Sequence, residues 1–189
     1  FAWAPVWSPD SQHIAFFATY ERHGIHIIDV DGRNVRFLTD ARELVGNPAD
    51  HFQREYGLDW SPDGSTILFN THNNDTTANI WAIDSDGRNA RNLSDDGEDG
   101  CLAWSPDGKR ILFNFYGVDG GFYTMRPDGG DRVEVLAPAT GACPRWSPDG
   151  REIIFSMDDD IHTVSAKGKN LRRLVRLPGT EYGADWFDP

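Results

Sequence analysis

The tetrapeptide Trp-Ser-Pro-Asp recurs at Trp7, Trp60, Trp104 and Trp146, and a degenerate Trp186-Phe-Asp-Pro follows near the end of the 189-residue chain. The tryptophans are 53, 44, 42 and 40 residues apart. A period of about 40 to 45 residues with short strand-like runs belongs to a propeller blade, whereas helical repeats need a sustained 3.6-residue apolar pattern. No stretch shows that helical pattern, so the spacing predicts an all-β chain of repeated sheets.

Each repeat reads as four strands, a to d from the inside outwards. Strand a ends at the Trp, and Ser-Pro-Asp-Gly makes the first turn: Pro presets φ, Asp bonds back to the backbone, and Gly takes the left-handed position. In the first copy Ser11 replaces that Gly, which predicts a strained or altered turn. Strand b follows as Ile14-Ala15-Phe16, Ile67-Leu68-Phe69, Ile111-Leu112-Phe113 and Ile153-Ile154-Phe155. A solid apolar run of this kind predicts a strand covered on both faces. Strand c carries Ile25, Ile80, Phe122 and Ile161 seven residues before a turn glycine. Those turns are Asp-Gly at Asp31, Asp86 and Asp128, a strong hairpin signal, and Lys167-Gly168 in the last repeat. Strand d ends at Leu38, Leu93, Leu136 and Leu174 and is flanked by Arg and Lys, which suits an outermost edge that must resist pairing with other chains.

The whole pattern, Trp-Ser-Pro-Asp-Gly, then Ile-x-Phe, then Ile-x-x-x-Asp-x-Asp-Gly, then Leu-Thr, resembles the TolB-like or PD40 class of WD40-like β-propeller repeats. The resemblance covers essentially every residue. It implies an exported bacterial repeat protein, periplasmic or extracellular, that binds other macromolecules. It also departs from parts of that class, since neither an N-terminal α/β domain nor a hydrolase domain accompanies the repeats. The chain opens at Phe1 without a basic or leucine-rich leader, and so reads as a processed or excised product.

The expected organisation is a single β-propeller unit over residues 1–189. Blade 1 spans about 1–40, a loop insertion 41–55, blade 2 about 56–95, blade 3 about 98–137 and blade 4 about 141–177. An extra inner strand at 181–186 leaves five copies of strand a against four each of b, c and d, so the ring is incomplete or is completed by a partner or by the terminal strand. An unpaired strand is a pairing template, which makes self-association through 181–186 one expectation. An excised fragment or a compact ring is the other.

The formal net charge of −12 argues against nucleic acid and anionic membrane as partners. The longest apolar runs, such as Ile14 to Ala18, fall far short of the roughly 18 to 20 residues of a membrane span. In a blade the d-to-a and b-to-c connections leave from one end. Here these are residues 19–24, 40–56, 71–79, 95–100, 116–121, 137–142, 157–160 and 177–182. Against only Arg22, Arg42 and Arg54 they hold the acids in excess, so the whole net charge lies in these loops. The face would bind through Asp95, Asp96, Glu98, Asp99, Asp158, Asp159, Asp160 and Glu181, with His51 and His72 beside them. Solubility alone is the competing explanation for such a charge. No cofactor is required by the sequence; Asp95, Glu98, Asp99, Asp158 and Asp160 are the oxygen donors through which calcium would bind.

No GxSxG, HExxH, Walker or GxGxxG motif occurs, and no catalytic residue is assigned. His26 and His162 stand where Trp81 and Tyr123 stand in other repeats and read as packed rings. His23, His51 and His72 would have to converge for a metal-dependent lyase or hydrolase. Asp59, Arg145 and Asp185, each just before a Trp, are candidates to line a central channel or to pair with each other. Cys101 and Cys143 hold equivalent places on adjacent inner strands, and two separate buried thiols are expected. Asn74 and Asn92 begin sequons that matter only where exported proteins are glycosylated. The expected function is a non-catalytic recognition or scaffold module binding a protein, peptide or cation through its acidic loop face. The alternatives are a self-assembling structural protein, and an enzyme on a polysaccharide or peptide.

Overall fold

A computed structural model of the chain describes residues 2–19, 22–40, 43–44, 57–74, 77–95, 99–139, 142–176 and 186. Among these, sixteen strands form four antiparallel four-stranded sheets, each in sequence order. Blade 1 contains β1 (Ala2–Trp7), β2 (His13–Ala18), β3 (Gly24–Asp29) and β4 (Arg36–Thr39). Blade 2 contains β5 (Leu58–Trp60), β6 (Thr66–Asn74), β7 (Thr77–Asp84) and β8 (Arg91–Asn92). Blade 3 contains β9 (Asp99–Trp104), β10 (Ile111–Phe115), β11 (Gly121–Met125) and β12 (Val133–Leu136). Blade 4 contains β13 (Ala142–Trp146), β14 (Glu152–Met157), β15 (Asp160–Ser165) and β16 (Arg172–Arg176). The chain divides into two compact units, Phe1–Gly97 with blades 1 and 2 and Glu98–Pro189 with blades 3 and 4. The fold class read from the repeat, an all-β propeller of four-stranded blades, is the one found. The surplus strand expected at 181–186 lies, apart from Trp186, outside the described residues.

The Ser-Pro-Asp turn is a small hydrogen-bonded device repeated four times. Each serine is buried, and its Oγ donates to the aspartate two residues on: Ser8 to Asp10 at 2.5 Å, Ser61 to Asp63 at 2.6 Å, Ser105 to Asp107 at 2.8 Å and Ser147 to Asp149 at 2.7 Å. The same Oγ accepts the backbone N–H of His13, Thr66, Arg110 or Glu152 at 2.9 Å, which fixes where strand b starts. The aspartate accepts a further backbone N–H two residues beyond it. The fourth position has φ of +73° at Gly64, +68° at Gly108 and +69° at Gly150, and Ser11 is held at +58°. A side chain in that region costs about 1–2 kcal/mol, so the first turn keeps its shape under strain. At the same end of each blade, in the turn from strand c to strand d, the N–H of Gly32, Gly87, Gly129 and Gly168 donates to the carbonyl three residues earlier. The Lys167-Gly168 turn therefore closes like the Asp-Gly turns.

Alternate residues of each sheet point to opposite faces, and both faces are apolar. One face, here the leading face, carries the Trp that ends strand a, the first and third residues of the Ile-x-Phe run, and Ile83 or its counterparts. The other, the trailing face, carries the middle residue of that run and the first apolar residue of strand c. In the first unit the trailing face of blade 1 (Ala15, Phe17, Ile25, Ile27, Leu38) packs on the leading face of blade 2 (Trp60, Ile67, Phe69, Ile83). In the second, Leu112, Phe122 and Val135 pack on Ile153, Phe155 and Val164. The Phe122 and Phe155 rings meet edge-on at 4.7 Å between centroids. His26 and His162 stack on Phe16 and Phe155 within their own blades, at 5.7 and 5.8 Å.

The cysteines correct the sequence expectation. Cys101 of β9 and Cys143 of β13 form a disulfide, with Cα atoms 5.0 Å apart. The inner strands converge more closely at their starts than a generic blade spacing suggests. Cys143 lies where the pairing of β13 with β14 is interrupted between Ala142 and Arg145, and its φ is +25°. Such a bulge re-aims a side chain that a regular strand would hold elsewhere.

Two measurements check this description. Replacing Ser11 by Gly relieves the left-handed strain at the cost of added unfolded-state freedom, and should raise stability by about 0.5–1 kcal/mol in urea unfolding. Replacing both cysteines by Ser opens a loop of 42-residue separation and should cost about 2–4 kcal/mol. The parent protein, but not that variant, should lose stability on adding reductant.

Candidate functional site

The acids of a blade divide according to the end at which they lie. At the turn end, Asp10, Asp63, Asp107 and Asp149 are already engaged by serine hydroxyls and backbone N–H groups. At the loop end, Asp95 follows β8 and is exposed. Asp158 and Asp159 are the two central residues of the tight turn joining β14 to β15, across which Met157 pairs with Asp160. Their φ values of +53° and +63° are those of a two-residue hairpin turn with both central residues left-handed, a conformation Asp tolerates better than most residues. Both side chains stand in solvent.

Two acids expected among the loop ligands are instead drawn into the sheets. Asp160 opens β15, is 8% exposed, and its Oδ2 accepts a hydrogen bond from Arg173 at 3.0 Å. Asp99 opens β9 and is 1% exposed, with its Oδ1 3.7 Å from Arg132. The Arg132 guanidinium lies over the rings of Phe113, Phe115 and Tyr123, at 4.9, 4.3 and 4.8 Å from their centroids. An arginine held by three aromatic faces and a buried carboxylate is a structural clasp of blade 3, and it was not anticipated. Its signal was present: Phe113 and Phe115 alternate along one strand, and Tyr123 pairs with Phe113 across to the next.

The remaining candidates are scattered or lie beyond the description. Asp96, Glu98, Glu181, His51 and Asp185 lie outside the described residues. His72 pairs with Ala78 within β6 and β7. Asp59 is half-buried opposite Leu68, and Arg145 sits opposite Ile154, donating to the Pro144 carbonyl at 3.3 Å. Among the described residues no three His, Cys, Asp or Glu side chains gather around a common point, as a metal would require. No helix among them is long and apolar enough to cross a membrane. A groove of about 750 Å³ lies at the turn end of blades 3 and 4, lined by residues including Asp107, Arg110, Trp146, Asp149 and Lys167. Arg110 is occupied there by Asp131 at 2.6 Å and by the Thr124 hydroxyl at 3.0 Å.

The turn aspartates are electrostatically distinct. The serine hydroxyl first, and the backbone N–H second, hold Asp10, Asp63, Asp107 and Asp149 below the usual carboxylate range. Asp128 is lowered by the Gly130 N–H and then by Arg126. A carboxyl depressed in the folded state stabilises the fold above its unfolded pKa, and that stability is lost as pH falls through the folded value. Stability should therefore be level on the neutral side and decline below about pH 4. Changing the four turn aspartates to Asn should flatten that decline in acid titrations followed by tryptophan fluorescence.

The sequence matches the PD40 family, the TolB beta propeller domain, over residues 1–155. Among solved structures the chain is similar to TolB from Acinetobacter baumannii, with a TM-score of 0.75 and 18% identity over 96% of this chain and 45% of that one. It is also similar to a putative TolB from Agrobacterium tumefaciens, with a TM-score of 0.70 and 20% identity over 88% and 62% of the two chains. A structure of a nidogen/laminin complex aligns with a TM-score of 0.71 and 13% identity, over 94% of this chain and 65% of that one. No curated protein matches the sequence significantly. The chain thus spans less than two thirds of each of these structures, and at these identities they share its fold alone. With the family match covering four of the five tryptophan motifs, the chain belongs to the TolB β-propeller family.

Proposed function

We propose that the chain is a non-catalytic recognition module of an exported, periplasmic or extracellular protein, which binds a basic protein or peptide surface through the loop ends of its blades. The observation that carries this reading is the contrast between the two ends. Turn-end carboxylates are consumed by internal hydrogen bonds, whereas Asp95, Asp158 and Asp159 face solvent and make no ion pair among the described residues. Loops mounted on rigid sheets are where recognition concentrates. A net charge of −12 attracts cationic partners over a distance and raises their encounter rate. A small cation such as calcium, taken by the same exposed carboxylates, is a narrower form of the same reading. Family membership supports a binding role in a general way, and the nature of the partner rests on the charge.

Asp158→Asn and Asp159→Asn test it cleanly, because Asn also accepts the left-handed conformation and the turn survives. With a lysine-rich peptide as probe, binding should be salt-sensitive, and the double variant should bind roughly three- to tenfold more weakly at low salt. A peptide that fails to bind at low salt, or binds both proteins equally, contradicts the proposal. Calcium titration of the same proteins separates the cation form from the peptide form.

A further inference from the structure

The groove at the turn end of blades 3 and 4 coincides with one departure from the repeat. Four residues after the turn glycine stand Arg36, Arg91 and Arg172 in blades 1, 2 and 4, but Val133 in blade 3. The strand register makes these positions equivalent, since Arg36, Arg91, Val133 and Arg172 lie opposite Ile27, Ala82, Thr124 and Thr163 of their c strands. Where blade 1 meets blade 2, Arg36 crosses between the sheets and donates to the Ser85 carbonyl at 3.0 Å. Ala166 holds the place of Ser85 in blade 4: each follows strand c and donates its N–H to the carbonyl of the residue before strand b. Where blade 3 meets blade 4 that arginine is replaced, and Val133 and Ala166 both line the groove of about 750 Å³. No donor among the described residues reaches the Ala166 carbonyl. Trp146 is only half-buried in the groove wall, whereas its counterpart Trp60 is 7% exposed.

We infer that this groove binds the side chain of an arginine presented by a peptide, the guanidinium taking the place between blades 3 and 4 that Arg36 fills between blades 1 and 2. A guanidinium is planar, carries donors and no acceptor, and is weakly hydrated. It can donate to the Ala166 carbonyl and lie against the Trp146 indole, an arrangement a compact, strongly hydrated ammonium reproduces poorly. Pro106, Val133 and Pro148 give the methylene stem an apolar wall. The charge of the lining agrees. Asp107, Glu134 and Asp149 all border the groove, and Glu134 is exposed and makes no ion pair among the described residues. Of the lining cations, Arg110 is held by Asp131 at 2.6 Å, and Lys167 is the opposing charge. Both walls belong to blades that pack on each other within one compact unit, so the groove is complete in this chain.

The test is titration of the full chain with a blocked tripeptide carrying arginine between two glycines, followed by the Trp146 indole N–H resonance, which Trp146→Phe identifies. A saturable shift with a Kd of about 1 mM or tighter is expected. Tripeptides with lysine or citrulline in place of arginine should bind about tenfold more weakly. Val133→Arg supplies the side chain that blade 1 has at this position, and should weaken binding about tenfold with an unchanged far-ultraviolet spectrum. Two milder variants keep the fold beyond doubt: Glu134→Gln should weaken binding about threefold, and Lys167→Ala should tighten it about twofold. The inference is overturned by a resonance that does not shift up to about 20 mM peptide, by lysine or citrulline binding as well as arginine, or by binding that neither Val133→Arg nor Glu134→Gln alters. The loop-end reading is tested apart from this one, because Asp158→Asn with Asp159→Asn should leave arginine binding unchanged. Loss of arginine binding in that double variant would place the arginine at the loop ends and overturn the inference.

Discussion

The packing of one blade's leading face on the trailing face of the blade before it is the contact that makes these sheets a structure. A four-stranded sheet of this size has two apolar faces and cannot shelter both by itself. Phe69 and Phe155 reach complete burial because another blade supplies Phe17 and Ile25, or Phe122 and Val135. Burying a phenylalanine side chain is worth about 1.5–3 kcal/mol, and several such side chains meet at each contact. The repeat length follows from this requirement, since each unit must return the chain to the inner edge ready to present the next tryptophan.

The Ser-Pro-Asp turn gives that packing its alignment. A serine that donates to aspartate and accepts from the backbone N–H at the entry to strand b pins the register of the two inner strands, and one slipped residue would move every apolar side chain to the wrong face. The same chemistry takes four carboxylates out of play at the turn end. Asp158 and Asp159, the exposed acids of blade 4 with no ion pair among the described residues, sit at the opposite end on a turn whose backbone requires unusual dihedrals. The carboxylates bonded within turns and the exposed pair thus lie at opposite ends of a single strand pair.

Much of this was legible in the amino-acid sequence because the repeat supplies four independent readings of one blade. The strand ends at Trp7, Trp60, Trp104 and Trp146, the glycine turns and the ring roles of His26 and His162 follow from local chemistry in register. Long-range and context-dependent features were not legible. The Cys101–Cys143 bond depends on how closely two inner strands approach and on a bulge, neither of which spacing encodes. Asp99 reads as a loop acid until Arg132, thirty-three positions later, is seen above three rings. A smaller regularity was available and overlooked: Asn34, Asn89, Asp131 and Asn170 each lie two residues after a turn glycine and all adopt positive φ. Asn34 and Asn89 use that conformation to donate to Asp29 and Asp84, at 2.6 and 2.7 Å.

Face-to-face blade packing can be observed directly by nuclear Overhauser contacts between aromatic rings on neighbouring sheets. The decisive pair is Phe122 and Phe155, which belong to different blades and lie 4.7 Å apart. Strong cross-peaks between these two rings, alongside those across the paired residues Trp146 and Ile153 within blade 4, are what the account predicts. Retention of the within-blade contacts with no signal between Phe122 and Phe155 would contradict it.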